Sequence, residues 1–337
     1  MLAAAAALAA AVQPALGAQP AGPVRLAAGP SAFPPDVLRA VVAATGCSVQ
    51  VVPPLAPGAA PGAAVDMVEM RGEDAGTLIA SGRLSVIDEP TVNGLGDVPG
   101  RLRDALRDAS GGLRAVPYLW SPQLLLARSK AFGGQPPTSL RALFSRQGAL
   151  RAALPDSPLE LALAARYLGI GDPFALARDE LNSAREVVAP ASRLLHLYSS
   201  ATQLRTLFRR GEIDLALGNP STLGAQRAGV VATLPSEGTI ATERVLAIVS
   251  GSPRAGCARR LAGALLAPPA QAQLSLVRGL LPVRSAACVM LSETACRTVQ
   301  RALSRTLANS AVAVHPVAAE GVTGWPEWVG EWVLLRG

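Results

Sequence analysis

Short apolar runs alternate with amphipathic segments along most of the chain. Residues 24–28 form a mostly apolar run, Gly29-Pro30-Ser31 interrupts it, and Pro34-Pro35 opens an amphipathic segment over 35–45 that Gly46 closes. Proline is preorganised for the first helical turn and glycine for the residue after the last, so strand, loop and helix are predicted in that order. Residues 48–52 predict a second strand, 53–64 a Pro/Gly/Ala-rich surface excursion, 65–70 a third strand, and 74–81 a helix ended by Gly82. Strands alternating with helices over short links predict parallel sheets covered on both faces.

The pattern then restarts. Gly111-Gly112 precede strand-like runs at 113–119 and 124–128, followed by a predicted helix at 138–144, a strand at 150–154, and helices at 158–168 and 179–197. Residues 203–210, 213–217 and 222–228 repeat helix, strand, helix, and a strand at 245–249 with helices at 258–266 and 270–278 rejoins the first unit. The chain leaves one α/β lobe, builds a second and returns, so a hinge is crossed at least twice. The expected lobes are 22–119 with 222–288, and 120–221 with 289–337. Near the end, Trp325, Trp328 and Trp332 fall at spacings of three and four and share one helical face, which suits core packing or lobe docking better than ligand stacking.

Composition narrows the class. With 337 residues and 50% hydrophobic content the chain can bury a sizeable core in about two domains. The net charge of +7 is dispersed rather than gathered in a basic arm, which argues against nucleic acid. Lys130 is the only lysine among 31 basic residues, so charge carries codon bias more than partner information. Residues 1–18 hold an apolar stretch that ends at Gln13, short of the about 20 residues a membrane span needs, and small residues at Gly17 and Ala18. They read as a secretory signal peptide and imply a periplasmic location. Four cysteines suit an oxidising compartment: Cys288 and Cys296, eight apart around a turn or helix start, are predicted to pair, leaving Cys47 with Cys257. No Cys-x-x-Cys occurs, and His196 and His315 lie far apart, so neither a metal nor another cofactor is expected.

Seven segments, taken in order, resemble the spermidine/putrescine-type family of periplasmic solute-binding proteins that serve ABC importers. Phe33-Pro34-Pro35-Asp36-Val37-Leu38 with Thr45-Gly46 is similar to the family's first helix, and Asp66-Met67-Val68 through Gly82-Arg83-Leu84 to its next strand and helix. Ala115-Val116-Pro117-Tyr118-Leu119-Trp120 matches an Ala-Val-Pro-Tyr-x-Trp segment. Residues 140–144 with 154–160, Gly211-Glu212-Ile213-Asp214, residues 235–248, and Gly279-Leu280-Leu281-Pro282-Val283 continue the series. The resemblance implies an α/β fold of two lobes, the type II periplasmic binding protein fold, each lobe a mostly parallel sheet flanked by helices. It also implies a monomer that captures a small molecule between its lobes and presents it to permease subunits.

The departures lie where ligand would sit. The family's Trp-Ser-Asp-Tyr is replaced by Gly29-Pro30-Ser31-Ala32, its Trp-x-Gly-Asp by Gly218-Asn219-Pro220-Ser221, and its Trp-x-Asp by Thr242-Glu243-Arg244. A polyamine needs carboxylates for its ammonium groups and aromatic faces for its methylenes, and most of these are gone. The substituted loops point to another small polar or anionic solute.

Ligands of two-lobed α/β proteins bind at the carboxyl ends of parallel strands. The candidate ligand residues are therefore Ser31, Phe33, Arg71, Glu73, Tyr118, Trp120, Gln123, Asp156, Glu160, Asn219, Ser221 and Arg244. Arg244 suits a bidentate grip on a carboxylate or phosphate, and Tyr118 and Trp120 suit stacking or hinge packing. Asp156 and Glu160 suit an amine, with helix capping by Asp156 and Ser157 the plainer role; Glu160 falls at a family position that contacts ligand. No nucleophile and base stand together, so an enzyme on this fold is disfavoured. A protein that has lost its ligand and works through protein contacts is the alternative.

Overall fold

In the computed structural model, which describes residues 22–56, 59–145, 151–219, 229–293, 296, 312–314 and 323–336, two sheets carry the fold. The first half runs β1 (Val24–Ala27), α1 (Pro35–Thr45), β2 (Val49–Val52), β3 (Met67–Arg71), α2 (Gly72–Ala80), α3 (Gly100–Asp104) and β4 (Val116–Pro122). The middle runs β5 (Leu124–Arg128), α4 (Arg141–Phe144), β6 (Ala152–Pro155), α5 (Glu160–Tyr167), α6 (Arg178–Leu194), β7 (His196–Tyr198), α7 (Ala201–Arg210), β8 (Leu215–Gly218) and β9 (Val230–Thr233). The chain returns through β10 (Thr239–Ile248), α8 (Ala255–Leu265), α9 (Pro268–Arg278) and β11 (Leu281–Pro282), followed by β12 (Val312–Val314) and α10 (Trp325–Arg336).

Among the described residues the first sheet has the order β11-β4-β10-β3-β1-β2 with β12 on β10, and the second β7-β6-β8-β5-β9. Parallel pairing holds in β2-β1-β3 and β7-β6-β8, where helices connect the strands. The strands next to the lobe crossings bring antiparallel pairing, β4 with β10 and β11, β10 with β3, and β5 with β8 and β9, while β12 lies parallel to β10, so both sheets are mixed. A strand that enters a sheet from the opposite lobe runs against those that helices return to the same end.

Each sheet has its own core. Leu26, Val37, Val41, Met67, Leu246 and Ile248 pack in the first, and Leu154, Leu161, Leu181 and Leu215 in the second. Full burial of each such side chain contributes about 1.5–3 kcal/mol relative to exposure. β10 threads both: Ile240 belongs to the second core, Ala241 and Val245 to the first. The two crossings are tied there, since Gln123 N donates to Ile240 O at 3.0 Å and Thr239 Oγ1 donates to Gln123 O.

Several boundaries differ from the pattern-based ones. The predicted helix over 179–197 stops at Leu194, because His196–Tyr198 pair with β6 instead. The break at 119/120 falls inside β4. β9 pairs with β5, so the second sheet keeps the chain past residue 222, and β12 joins β10 rather than the second sheet. The predicted helix at 222–228 and the 1–18 leader lie outside the described residues.

The cysteines stand in two disulfides, Cys47–Cys257 and Cys288–Cys296, with Cα–Cα separations of 5.8 and 4.7 Å. The first ties the end of α1 to α8 across a separation of 210 residues. Replacing both Cys47 and Cys257 by serine is expected to cost about 2–5 kcal/mol, read as a lowered urea midpoint.

One buried amide organises the first lobe. Gln271 Nε2 donates to Tyr118 O (2.7 Å) and Leu265 O (3.0 Å), and its Oε1 accepts from Val283 N (3.0 Å). Gln271→Leu strands these groups without partners, and a loss of about 1–3 kcal/mol in denaturant unfolding is expected.

Candidate functional site

The carboxyl ends of β1 and β3 in one lobe, and of β6 and β8 in the other, release the loops that carry the candidate residues. On the first lobe the centre is Glu69, an acid on an otherwise apolar stretch of β3 and 4% exposed. Tyr118 Oη donates to Glu69 Oε1 at 2.7 Å, Arg244 Nε donates to the same oxygen at 2.7 Å, and Arg278 Nη2 stands 3.6 Å away. Arg278 Nη1 also donates to Ala32 O at 3.1 Å, which fixes the loop after β1. Burial, then the Glu69 carboxylate, push the Tyr118 phenol well above its ordinary range, so it stays a donor.

Beside this cluster lie two acids that are short of partners. Glu73 in α2 and Glu243 in β10 are 1% and 3% exposed. Among the described residues Glu73 Oε2 and both Glu243 oxygens have no hydrogen-bond partner. Burial raises both carboxyls above the usual range, and for Glu243 the nearby Glu73 adds to it. Arg71 Nε stands 3.5 Å from Glu73 Oε1 and donates to Asp74 Oδ2 at 3.0 Å.

On the second lobe Glu160 opens α5, fully buried. Neither of its oxygens has a hydrogen-bond partner among the described residues, and burial drives its carboxyl well above the ordinary value. Tyr198 is close enough to feel that carboxyl, and its Oη donates to Leu217 O at 2.6 Å. Asp156, four residues before Glu160, is engaged: Oδ1 accepts from Trp332 Nε1 at 2.9 Å and Oδ2 lies 3.1 Å from Arg336 Nη2. The lobes meet here as well, since Asn219 Nδ2 donates to Gly279 O at 3.3 Å and α10 touches α2.

Among the described residues no group of three or more His, Cys, Asp or Glu is placed to bind a metal, and no helix is long and apolar enough to cross a membrane. A family model for bacterial extracellular solute-binding proteins matches residues 40–289. The chain belongs to that family.

Solved structures similar to this solute-binding protein share its two-lobed fold. The spermidine/putrescine ABC transporter substrate-binding protein PotD of Streptococcus pneumoniae has a TM-score of 0.72 at 13% identity, covering 94% of this chain and 97% of that one. The TpPotD lipoprotein of Treponema pallidum has a TM-score of 0.72 at 15%, covering 93% and 98%. AgtB of A. tumefaciens R10, in complex with agropinic acid, has 0.61 at 17%, covering 93% and 96%. At these identities the likeness is one of fold. Family and fold neighbours are substrate-binding proteins of ABC transporters, which take up small molecules and meet permease components, and are not enzymes.

In this solute-binding protein the expected site residues divide. Trp120 and Tyr118 are wholly buried in the first core, with Trp120 Nε1 donating to Pro282 O, so neither offers a face for stacking. Phe33 packs against Tyr118 with ring centroids 5.8 Å apart and is likewise interior. Arg244 directs Nε and Nη2 at one oxygen of Glu69, so that carboxylate engages part of its guanidinium. Ser31 and Arg71 are exposed, Gln123 is half-buried with its Oε1 lacking a partner among the described residues, and Asn219 links the lobes. Ser221 lies outside the described residues. Glu69 and Gln271 were missed. A lone acid in Met67-Val68-Glu69-Met70 was the available signal for Glu69, whereas a glutamine in a helix carries none.

Proposed function

We propose that this protein captures a small amine-bearing solute between its lobes, with Glu160 receiving the ammonium group, and delivers it to an ABC importer from the periplasm after export by its 1–18 leader. The observation that carries this reading is Glu160 itself, a fully buried carboxyl with no hydrogen-bond partner among the described residues. An unpaired buried acid is costly, and an incoming cation supplies the missing charge and donors together. Glu73 and Glu243 add two more acids in need of partners on the opposite lobe. The loop substitutions point to another small polar or anionic solute; Arg244 and Arg278 share Glu69, which favours the polar, amine-bearing side of that reading and leaves carboxylates as the groups that want a ligand.

Closure stabilises the bound state by the difference in affinity between closed and open forms. Free ligand at a hundred times its Kd is expected to add about 2.7 kcal/mol of stability. A thermal-shift survey of amines, amino acids, phosphonates and sugars tests this, with a response to amine-bearing compounds expected and a response confined to phosphonates or sugars opposing it. A second reading, action through protein contacts without ligand, draws on the lobe-to-lobe contact of Asn219 with Gly279 and on the engagement of Asp156 by α10. No response to any compound favours it.

A further inference from the structure

We infer that the C-terminal helix sets how many ammonium groups the ligand carries, with Arg336 standing as a resident cation on Asp156. This rests on the amine reading of Glu160 and deepens it. Asp156 directly follows β6 and Glu160 begins α5, so one short loop presents both carboxyls. Glu160 is fully buried and partnerless among the described residues, whereas Asp156 already has an indole N–H on one oxygen and a guanidinium on the other. The loop therefore offers one carboxyl without a partner where its sequence holds two.

The helix that supplies these donors is firmly seated. Trp328 and Trp332 are 2% and 3% exposed in the second core, and Leu335 joins them. Arg178 pairs with Glu327 and Glu331, and Arg185 with Glu331, binding α10 to α6. α10 also touches α2, the helix of the opposite lobe that bears Glu73, which puts it at the lobe boundary rather than on a remote surface. Arg336 itself is 52% exposed, so its side chain can be removed without touching the tryptophan anchors, and Asp156 keeps 18% exposure through which a ligand amine can reach it.

The specificity that follows is for one ammonium group. A second ammonium on the ligand meets Arg336 and is repelled; removing Arg336 returns Asp156 as a second acceptor.

The test is calorimetric titration of 1-aminobutane and 1,4-diaminobutane into the wild type, Arg336→Ala, Trp332→Phe and the double variant Arg336→Ala with Asp156→Asn. The wild type is expected to prefer the monoamine. In Arg336→Ala the preference for the diamine over the monoamine should rise at least about tenfold, and the added Asp156→Asn should cancel the gain. Trp332→Phe keeps the ring in the core and loses only the N–H donor, so a smaller shift in the same direction is expected with folding intact. A diamine-to-monoamine ratio unchanged in all variants, with monoamine binding retained, overturns this inference alone. Absence of amine binding in the wild type overturns the amine reading of Glu160 and this inference with it.

Discussion

Glu160→Gln is expected to make the protein more stable at neutral pH and unable to hold its amine. The carboxyl is fully buried and has no hydrogen-bond partner among the described residues, and burial pushes its titration well above the ordinary glutamate range. A glutamate whose folded value is raised keeps its proton in the fold at pH values where the unfolded chain has lost it. The contribution of this group to stability is therefore fully present below about pH 4, where both states are protonated, and is lost as pH rises toward the raised folded value. Glutamine does not titrate, so the variant should lose the pH-dependent part of this cost and show a flatter pH profile in urea denaturation, with its advantage over the wild type growing as pH rises. Its affinity for a primary amine should fall at least about tenfold, the loss of a charged hydrogen bond. A variant that is no more stable and binds as well as the wild type contradicts both halves.

The second large effect lies in α10. Trp328 is 2% exposed, stacks on Phe174 with centroids 6.3 Å apart, and donates from Nε1 to Thr323 Oγ1 at 2.9 Å. Trp328→Ala removes a large buried side chain and leaves a void in the second core, at a cost of about 3–5 kcal/mol. With its anchor gone the helix loses its hold on the second lobe, and Trp332 and Arg336 leave Asp156. Urea unfolding monitored by tryptophan fluorescence, together with proteolysis at 323–336, measures both. A loss below about 1 kcal/mol with the segment still protected contradicts the seating described for α10.

The parts of the fold that could be read from sequence were those with local cause. Pro35 and Gly46 bracket α1 because their backbone preferences act within a few residues. The tryptophan spacing placed Trp328 and Trp332 on one face, and both are buried in the second core. The even cysteine count and the eight-residue gap matched two disulfides that the structure forms.

What stayed illegible depends on distant partners. His196–Tyr198 look helical in isolation and become a strand only because β6 lies alongside. The sequence cannot tell that Trp120 is sealed by Pro282, 162 residues away, or that Arg244 meets Glu69, 175 residues away. For the same reason Asp156 and Glu160 looked alike in sequence. Only the return of α10 to Asp156 separates the occupied carboxylate from the one that lacks a partner.

The central claim is most directly tested by a crystal structure of the protein purified from its native host. A small molecule is expected between the lobes with an amine nitrogen within hydrogen-bond distance of Glu160, about 2.7–2.9 Å. An anion seated on Arg244 and Arg278, or lobes closed with nothing between them and Glu160 still without a partner, would contradict it.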